Sequence, residues 1–240
     1  MKTKIRLFVD HPLTEAQSVH LNRDQAHYLF SVMRKSEGDH VAIFDGKNGE
    51  WLAQIDVAGK KKGVLRCLKM TKPQKNPPDV WLMFAPIKKA RTDFIVEKAT
   101  ELGVALILPL QTDFTNSERI KQDRLQDHAI EAAEQCGGTF VPKVADLSRL
   151  EKLLSNWPGD RFLLFCDEGK VGERVEFQDL PIGKWAILLG PEGGFSEKER
   201  KYIRAMQNSF SLSLGPRILR ADTAAIAALT LWQNALGDWT

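Results

Sequence analysis

Hydrophobic and polar positions divide the chain into two regimes. In residues 1–70 the apolar positions come as short runs or alternate with polar ones. Ile5–Val9 and His40–Phe44 read as short strands, and Glu50–Val57 sets Trp51, Ala53, Ile55 and Val57 at period 2, as a strand with one buried face requires. Lys47-Asn48-Gly49 supplies hairpin chemistry, because Asn and Gly tolerate the positive φ of a tight turn. Val64–Met70 predicts a closing strand, and Asp24–Met33 a helix that Asp24 can cap. Short strands with one helix predict a small barrel.

Thr71–Asp79 (TKPQKNPPD) contains three prolines and no apolar residue, so it reads as an extended linker. Beyond it, strand-like and helix-like segments alternate. Val80–Ala85 precedes a helix over Arg91–Leu102, which Gly103 stops. Val104–Leu110 is strand-like and Gln122–Gln135 helical. Arg161–Cys166 and Trp185–Leu189 are apolar strands, followed by helix Glu197–Gln207, strand Phe210–Leu214 and helix Thr223–Leu236. Repeated β-then-α units with continuous apolar strands predict an α/β fold, a parallel sheet covered by helices. The last helix has no charge from Thr223 to Gly237, so it must be buried on nearly every side, in a core or against another subunit.

Composition narrows the class. The 240 residues are 43% hydrophobic and 27% charged, the balance of a protein with a real core and room for two domains. No apolar stretch approaches the roughly 18 residues of a membrane span. Met1–Asp10 starts basic, but its apolar run is too short for a secretory signal. Cys67, Cys136 and Cys166 fit neither a disulfide framework nor a zinc knuckle, which makes a reduced, cytoplasmic protein the expectation. The net charge of +3 is uneven: residues 1–70 carry twelve Lys and Arg against eight Asp and Glu, and the remainder 22 against 23. A basic first part points to a polyanion held there.

Two loops carry candidate chemistry. Gly190-Pro191-Glu192-Gly193-Gly194-Phe195 follows WAILL, and Ser196 with Glu199 then forms a capping box that fixes the next helix start. A strand, a glycine turn and a helix N-terminus form a ligand-binding arrangement, or simply a tight turn. The spacing matches neither G-x-G-x-x-G nor the P-loop. The second loop, Ser213–Arg220, lies before the final helix, which Asp222 or Thr223 can cap. Arg220, at the doorstep of a buried element, calls for an anionic or carbonyl partner, or caps a neighbouring helix. No Ser-His-Asp order or HExxH occurs, the five histidines are not at ligand spacing, and Glu97 with Glu101, flanking Lys98, reads as a solvated face.

GPEGGFSEKE (Gly190–Glu199) and LSLGPRILRADTAA (Leu212–Ala225) together resemble the two C-terminal motifs of the RsmE family, ribosomal RNA small-subunit methyltransferases of the SPOUT class. The similarity extends to EKATELGV (Glu97–Val104), EAAEQCG (Glu131–Gly137) and Val141-Pro142. Near the N-terminus His27, Arg34, Gly38-Asp39 and Phe44-Asp45-Gly46 match as well. Asp222 stands where members often carry Glu, and Gly138 where they often carry Arg.

The resemblance implies a PUA-like RNA-binding barrel at 1–70, a linker at 71–79, and a SPOUT domain at 80–240 whose parallel sheet carries a deep trefoil knot. It implies S-adenosylmethionine-dependent methylation of uridine N3 in 16S ribosomal RNA by a cytoplasmic homodimer, with ribosomal RNA or the small ribosomal subunit as partner. The cofactor would lie on backbone at Gly190, Pro191, Glu192, Gly193, Gly194 and Gly215. Leu164, Leu214, Ile218 and Leu219 would wall its adenine, with Thr223 and Ala224 at the helix start. No metal is required, since a methyl sulfonium is already an activated electrophile. Arg220 would stabilise the N3 anion, with Glu192 second as a base. Arg6, Arg23, Arg34, Lys60, Lys61 and Lys62 would contact RNA phosphates, as would Lys88 and Arg91. The competing expectations are a SPOUT methyltransferase acting on transfer RNA or a ribose hydroxyl, and a non-catalytic dimeric RNA-binding protein.

Overall fold

The computed structural model describes residues 5–116, 119–167 and 177–239. They form two compact units, Met1–Asn76 with Ala133–Val141, and Pro77–Ala132 with Pro142–Thr240. A linear division at 71–79 does not anticipate that Ala133–Val141 joins the first unit.

In the first unit, β1 (Arg6–Phe8), β2 (Ser18–Leu21), β3 (His40–Phe44), β4 (Glu50–Gly59) and β5 (Lys62–Lys72) form a sheet in the order β1-β3-β4-β5-β2. β1 is parallel to β3, and the other neighbours are antiparallel. Helix α1 (Arg23–Ala26) runs into a π-helical turn, His27–Val32, and sets Ala26 and Leu29 on a core with Leu7, Val41, Ile43, Ala53, Ile55 and Leu65. Its cap is Asn22 rather than Asp24: the Asn22 side chain accepts from Gln25 N, and the Gln25 side chain accepts from Asn22 N. The alternation in β4 holds for Trp51, Ala53 and Ile55 but fails at Val57, which is 43% exposed. The register slips between Ile55 and Val57, and such a bulge turns the next side chain to the other face. In the β3–β4 turn the positive φ values fall on Gly46 and Gly49, not on Asn48, and the Asp45 carboxylate accepts from the amides of Lys47 and Asn48.

Arg6 is taken up inside this unit, which corrects its expected place on RNA phosphate. Its Nε donates to Glu50 at 2.6 Å, and its Nη atoms donate to the carbonyls of Ala133, Glu134 and Gly138. The guanidinium also lies over the Phe44 ring. A cation at carbonyls left open by a helix C-terminus satisfies them and complements the dipole. Burial alone would push the Glu50 carboxyl up, but bonds from Arg6, Thr71 and Lys72 outweigh it and hold the carboxyl below its ordinary range.

In the second unit β6 (Val80–Phe84), β7 (Leu106–Gln111), β8 (Lys143–Val144), β10 (Arg161–Cys166), β11 (Lys184–Leu189) and β12 (Ser209–Leu212) lie in the order β12-β10-β11-β6-β7-β8, with β9 (Ser148–Arg149) beside β7. Every pairing is parallel, as the continuous apolar strands predict. The helices are α2 (Lys89–Glu101), α3 (Gln122–Cys136, its end in the first unit), α4 (Leu150–Leu154), α5 (Glu197–Ala205) and α6 (Ala221–Leu236). Phe165, Leu188, Met83 and Leu108 stand in register across four strands and bury against Leu150, Leu154 and Ile203 of α4 and α5. The alternate row, Leu164, Ile187, Leu82 and Ile107, is fully buried on the opposite face.

α6 packs on α2 and β11. Its buried Gln233 donates from Nε2 to the carbonyls of Leu102 and Gly103, closing the end of α2. Only one side of α6 is covered: Ala224, Ala225, Ala228, Leu229 and Trp232 are buried, but Leu231 is 43% exposed. A trefoil knot is a property of the whole path, and 168–176 lies outside the described residues.

Candidate active site

Three parallel strands deliver the site. β10, β11 and β12 end side by side, and beyond their carboxyl ends come Cys166-Asp167, Gly190–Gly194 and Ser213–Gly215. This is where an open parallel sheet leaves a crevice. The crevice holds about 300 Å³ and is walled by these segments with Leu189, Leu212, residues 217–221 and Ala224.

The turn after β11 is fixed on both sides. Gly194 takes φ +69° and donates its amide to Pro191 O at 2.9 Å. Phe195 then turns into the core, edge-on to Phe165. Ser196 caps α5 with the expected box: its side chain accepts from Glu199 N while the Glu199 carboxylate accepts from Ser196 N. Gly193 has no positive φ, and its constraint is one of space: a Cβ there would lie 3.3 Å from Cβ of Phe114, a few tenths of an ångström too close.

Asp167 anchors the floor. Its carboxylate is wholly buried and accepts from Arg200 Nη1 at 2.6 Å and from Arg204 Nε at 2.9 Å. A buried carboxylate needs such partners, and these two tie α5 to the end of β10. Sequence reasoning misses Asp167; the available signal is an acid directly after a wholly apolar strand.

Arg220 occupies the N-cap position of α6, and neither Asp222 nor Thr223 caps it. The side chain is exposed, lines the crevice, and has no hydrogen-bond or ion-pair partner among the described residues. Asp222 sits in the first helical turn, where a carboxylate suits the dipole. Arg91 approaches it at 3.9 Å and donates to Glu192 Oε1 at 3.0 Å. Arg91, expected on phosphate, therefore links the two loops of the site, and Glu192, expected as a base, already has a guanidinium partner.

Pro191, Glu192, Leu214, Gly215, Ile218, Leu219 and Ala224 line the crevice with the three glycines of the turn. Leu164 does not: it is buried one pleat deeper in β10, and Cys166 occupies the lining position on that strand. Thr223 is exposed and also lies off the lining. Ile218 is 81% exposed at the rim. Of the basic residues, Arg23, Arg34 and Lys60–Lys62 are exposed on the first unit, and Lys88 is exposed at the start of α2.

The crevice suits S-adenosylmethionine. Its size is at the lower end of small-molecule pockets, which begin at about 300 Å³. Leu189, Leu212, Leu214, Leu219 and Ala224 offer apolar walls. Gly215, at φ +104°, would carry a Cβ that meets no protein atom within 4 Å, so the backbone there is bare to a ligand.

Known proteins agree with this geometry. A family model described as an RNA methyltransferase domain matches residues 74–233, and one described as an RNA methyltransferase PUA domain matches residues 21–66. The ribosomal RNA small subunit methyltransferase E of Rickettsia conorii is 30% identical, over 93% of this chain and 93% of its own. The crystal structure of ribosomal RNA small subunit methyltransferase E from Neisseria gonorrhoeae, bound to S-adenosylmethionine, superposes with a TM-score of 0.85 at 27% identity, covering 98% of this chain and 99% of that one. A methyltransferase from Legionella pneumophila, in complex with the same cofactor, gives 0.87 at 29%, covering 99% and 100%. A parallel sheet whose strand ends cradle such a crevice, joined to a PUA domain, defines an RNA methyltransferase of the SPOUT class. Within that class the chain belongs to the ribosomal RNA small-subunit methyltransferase E family, RsmE.

Proposed function

We propose that this chain methylates N3 of a uridine in small-subunit ribosomal RNA, acting in the cytoplasm as a homodimer. The observation that carries the reading is the Arg220 guanidinium, without a partner among the described residues, at the mouth of a backbone-lined crevice. Bound there, S-adenosylmethionine supplies a methyl group already activated by its sulfonium.

The protein's task is to orient the uracil and to manage its N3 proton. That proton must leave before N3 can attack, and the resulting charge spreads over O2 and O4. A planar guanidinium offers paired donors to such an edge and stabilises the anion as an oxyanion hole does. Glu192, held by Arg91, keeps its loop in place. The products are N3-methyluridine, S-adenosylhomocysteine and a proton.

The exposed side of α6, with Leu231 at its centre, would be covered by a second copy of the chain. The described residues contain no helix long and apolar enough to cross a membrane.

Nucleoside mass spectrometry of small-subunit RNA from a strain lacking the gene, before and after treatment with the purified protein, tests the reading. N3-methyluridine should be missing and then restored. A product methylated on ribose, or on transfer RNA alone, would refute it.

A further inference from the structure

The charges around the crevice are sorted. Two carboxylates line it, Asp167 and Glu192, and arginines from other elements hold both. Asp167 is bound by Arg200 and Arg204, and Glu192 by Arg91 at 3.0 Å. A third carboxylate, Asp222, lies two residues after Arg220, with its Oδ2 3.9 Å from Arg91 Nε. The two arginines that line the crevice, Arg217 and Arg220, have side chains with no hydrogen-bond or ion-pair partner among the described residues. The acids are occupied and the bases are not.

Arg91 stands where its own helix gains nothing from it. It lies in the first turn of α2, which contains no acid, and a cation there meets the positive end of the helix dipole. The start of the helix is nonetheless firm. The amides of Arg91 and Thr92 donate to Lys88 O, and the Thr92 hydroxyl accepts from Ile87 N and donates to Ile87 O. α2 also packs on α6, the helix that follows Arg220. The guanidinium thus reaches both carboxylates from a fixed base. The turn carrying Glu192 has bonds of its own, from Gly194 N to Pro191 O and in the Ser196–Glu199 box, so what Arg91 fixes above all is the carboxylate.

We propose that Arg91 is a positioning residue that keeps Arg220 available, by sequestering Glu192 and Asp222 from it. Opposite charges around one small crevice attract each other, so Glu192 released from Arg91 pairs with Arg220 across it. An Arg220 bound to a carboxylate has its donors occupied and its charge neutralised, and offers neither to a uracil edge that is losing its N3 proton. The inference rests on the reading of Arg220 as the group that stabilises the N3 anion.

The test uses the full chain, with variants Arg91→Ala, Arg91→Ala combined with Glu192→Gln, and Arg220→Ala. Methyl transfer to small-subunit RNA from a strain lacking the gene, offered free and in assembled subunits, gives kcat and KM. Modification by phenylglyoxal, mapped by peptide mass spectrometry, gives the reactivity of each arginine without any turnover. Arg91→Ala should lower kcat about tenfold or more, short of the 10²–10³ expected when such a donor is removed outright. The Kd for S-adenosylmethionine should stay within about threefold of wild type. Adding Glu192→Gln should win back at least about fivefold of the lost kcat, because the two residues are coupled through Arg220. Modification of Arg220 should slow about threefold or more in Arg91→Ala, since a carboxylate partner holds the guanidinium in the protonated form that the reagent does not attack. It should recover in the double variant. Arg91→Gln repeats the comparison if Arg91→Ala does not fold.

Unchanged kcat in Arg91→Ala overturns the inference. So does a double variant no faster than Arg91→Ala, the result expected if Arg91 only holds the loop or if Glu192 is the base. Slowed modification at Arg217 with none at Arg220 overturns it as well. Normal turnover in Arg220→Ala makes the proposed role of Arg220 fail, while the modification rates still decide whether Arg91 keeps Arg220 unpaired.

Discussion

Gly190→Ala asks whether the turn after β11 is a close-fitting cradle or a tolerant loop. Gly190 has no positive φ, so alanine meets no backbone strain and the penalty is steric. A Cβ at that position would lie 2.7 Å from Cε2 and 3.0 Å from Cδ2 of Phe195. Relaxed carbon–carbon separations are about 3.5–4.0 Å, so ring or turn must yield by nearly 1 Å. Phe195 is 2% exposed, and its ring meets Phe165 at 5.0 Å between centroids, so it cannot swing clear without disturbing the core. Overpacking of this kind costs about 1–3 kcal/mol. In a unit of this size that lowers Tm by roughly 3–9 °C. If the turn yields rather than the ring, the same energy raises the Kd for S-adenosylmethionine about 5- to 160-fold. Calorimetric titration and thermal denaturation read the two effects separately. Combining Gly190→Ala with Phe195→Leu removes the colliding ring edge, so the double variant should lose at least about 1 kcal/mol less than the sum of the single ones. Unchanged Kd and Tm in the single variant, or strict additivity in the pair, would refute the reasoning.

Arg220→Ala should lower turnover by about 10²–10³ with little change in cofactor affinity, and raising the pH should partly restore it as uridine loses N3–H unaided; normal turnover removes Arg220 from the chemistry. Leu231→Asp should give folded monomers by sedimentation velocity, whereas Ala228→Asp, buried within the chain, should unfold it; a monomeric wild type refutes the dimer. Because the folded Glu50 carboxyl lies below its ordinary value of 4.5, its stabilising contribution is complete above that value and is lost as pH falls through the folded one. Glu50→Gln should therefore flatten the acid limb of the stability curve, and parallel curves would show that its ion pair with Arg6 is not coupled to folding. Replacing Lys60, Lys61 and Lys62 by Gln should reduce the salt slope of RNA binding by roughly 0.7–0.9 for each phosphate left without its lysine, and an unaltered slope places the RNA elsewhere.

Features held by local interactions are legible along the chain. The strands of the second unit are apolar throughout because both faces are covered, and that pattern alone reveals them. The Ser196–Glu199 box is legible because its bonds span three residues. The glycine turn and the loop before α6 stand out as candidate ligand-binding segments, and the family motifs mark most of the crevice wall. Local reasoning fails where a distant group decides. β8, β9 and α4 are too short to show periodicity. Val57 faces outward because of a bulge that depends on the register with β5. Arg6 and Arg91 read as surface cations until the chain folds. Arg6 then meets carbonyls more than 120 residues away and Arg91 meets Glu192, because an unpaired charge beside carbonyls or carboxylates is satisfied by whatever the fold brings near. Leu164 and Cys166 look equivalent in an apolar strand, and only the depth of the pleat makes one of them core and the other crevice wall. Phe114, likewise, is an ordinary apolar residue in the sequence. Its position against Gly193 comes from the folded sheet, since the two residues share no local period and meet only when β7 and β11 lie in one sheet.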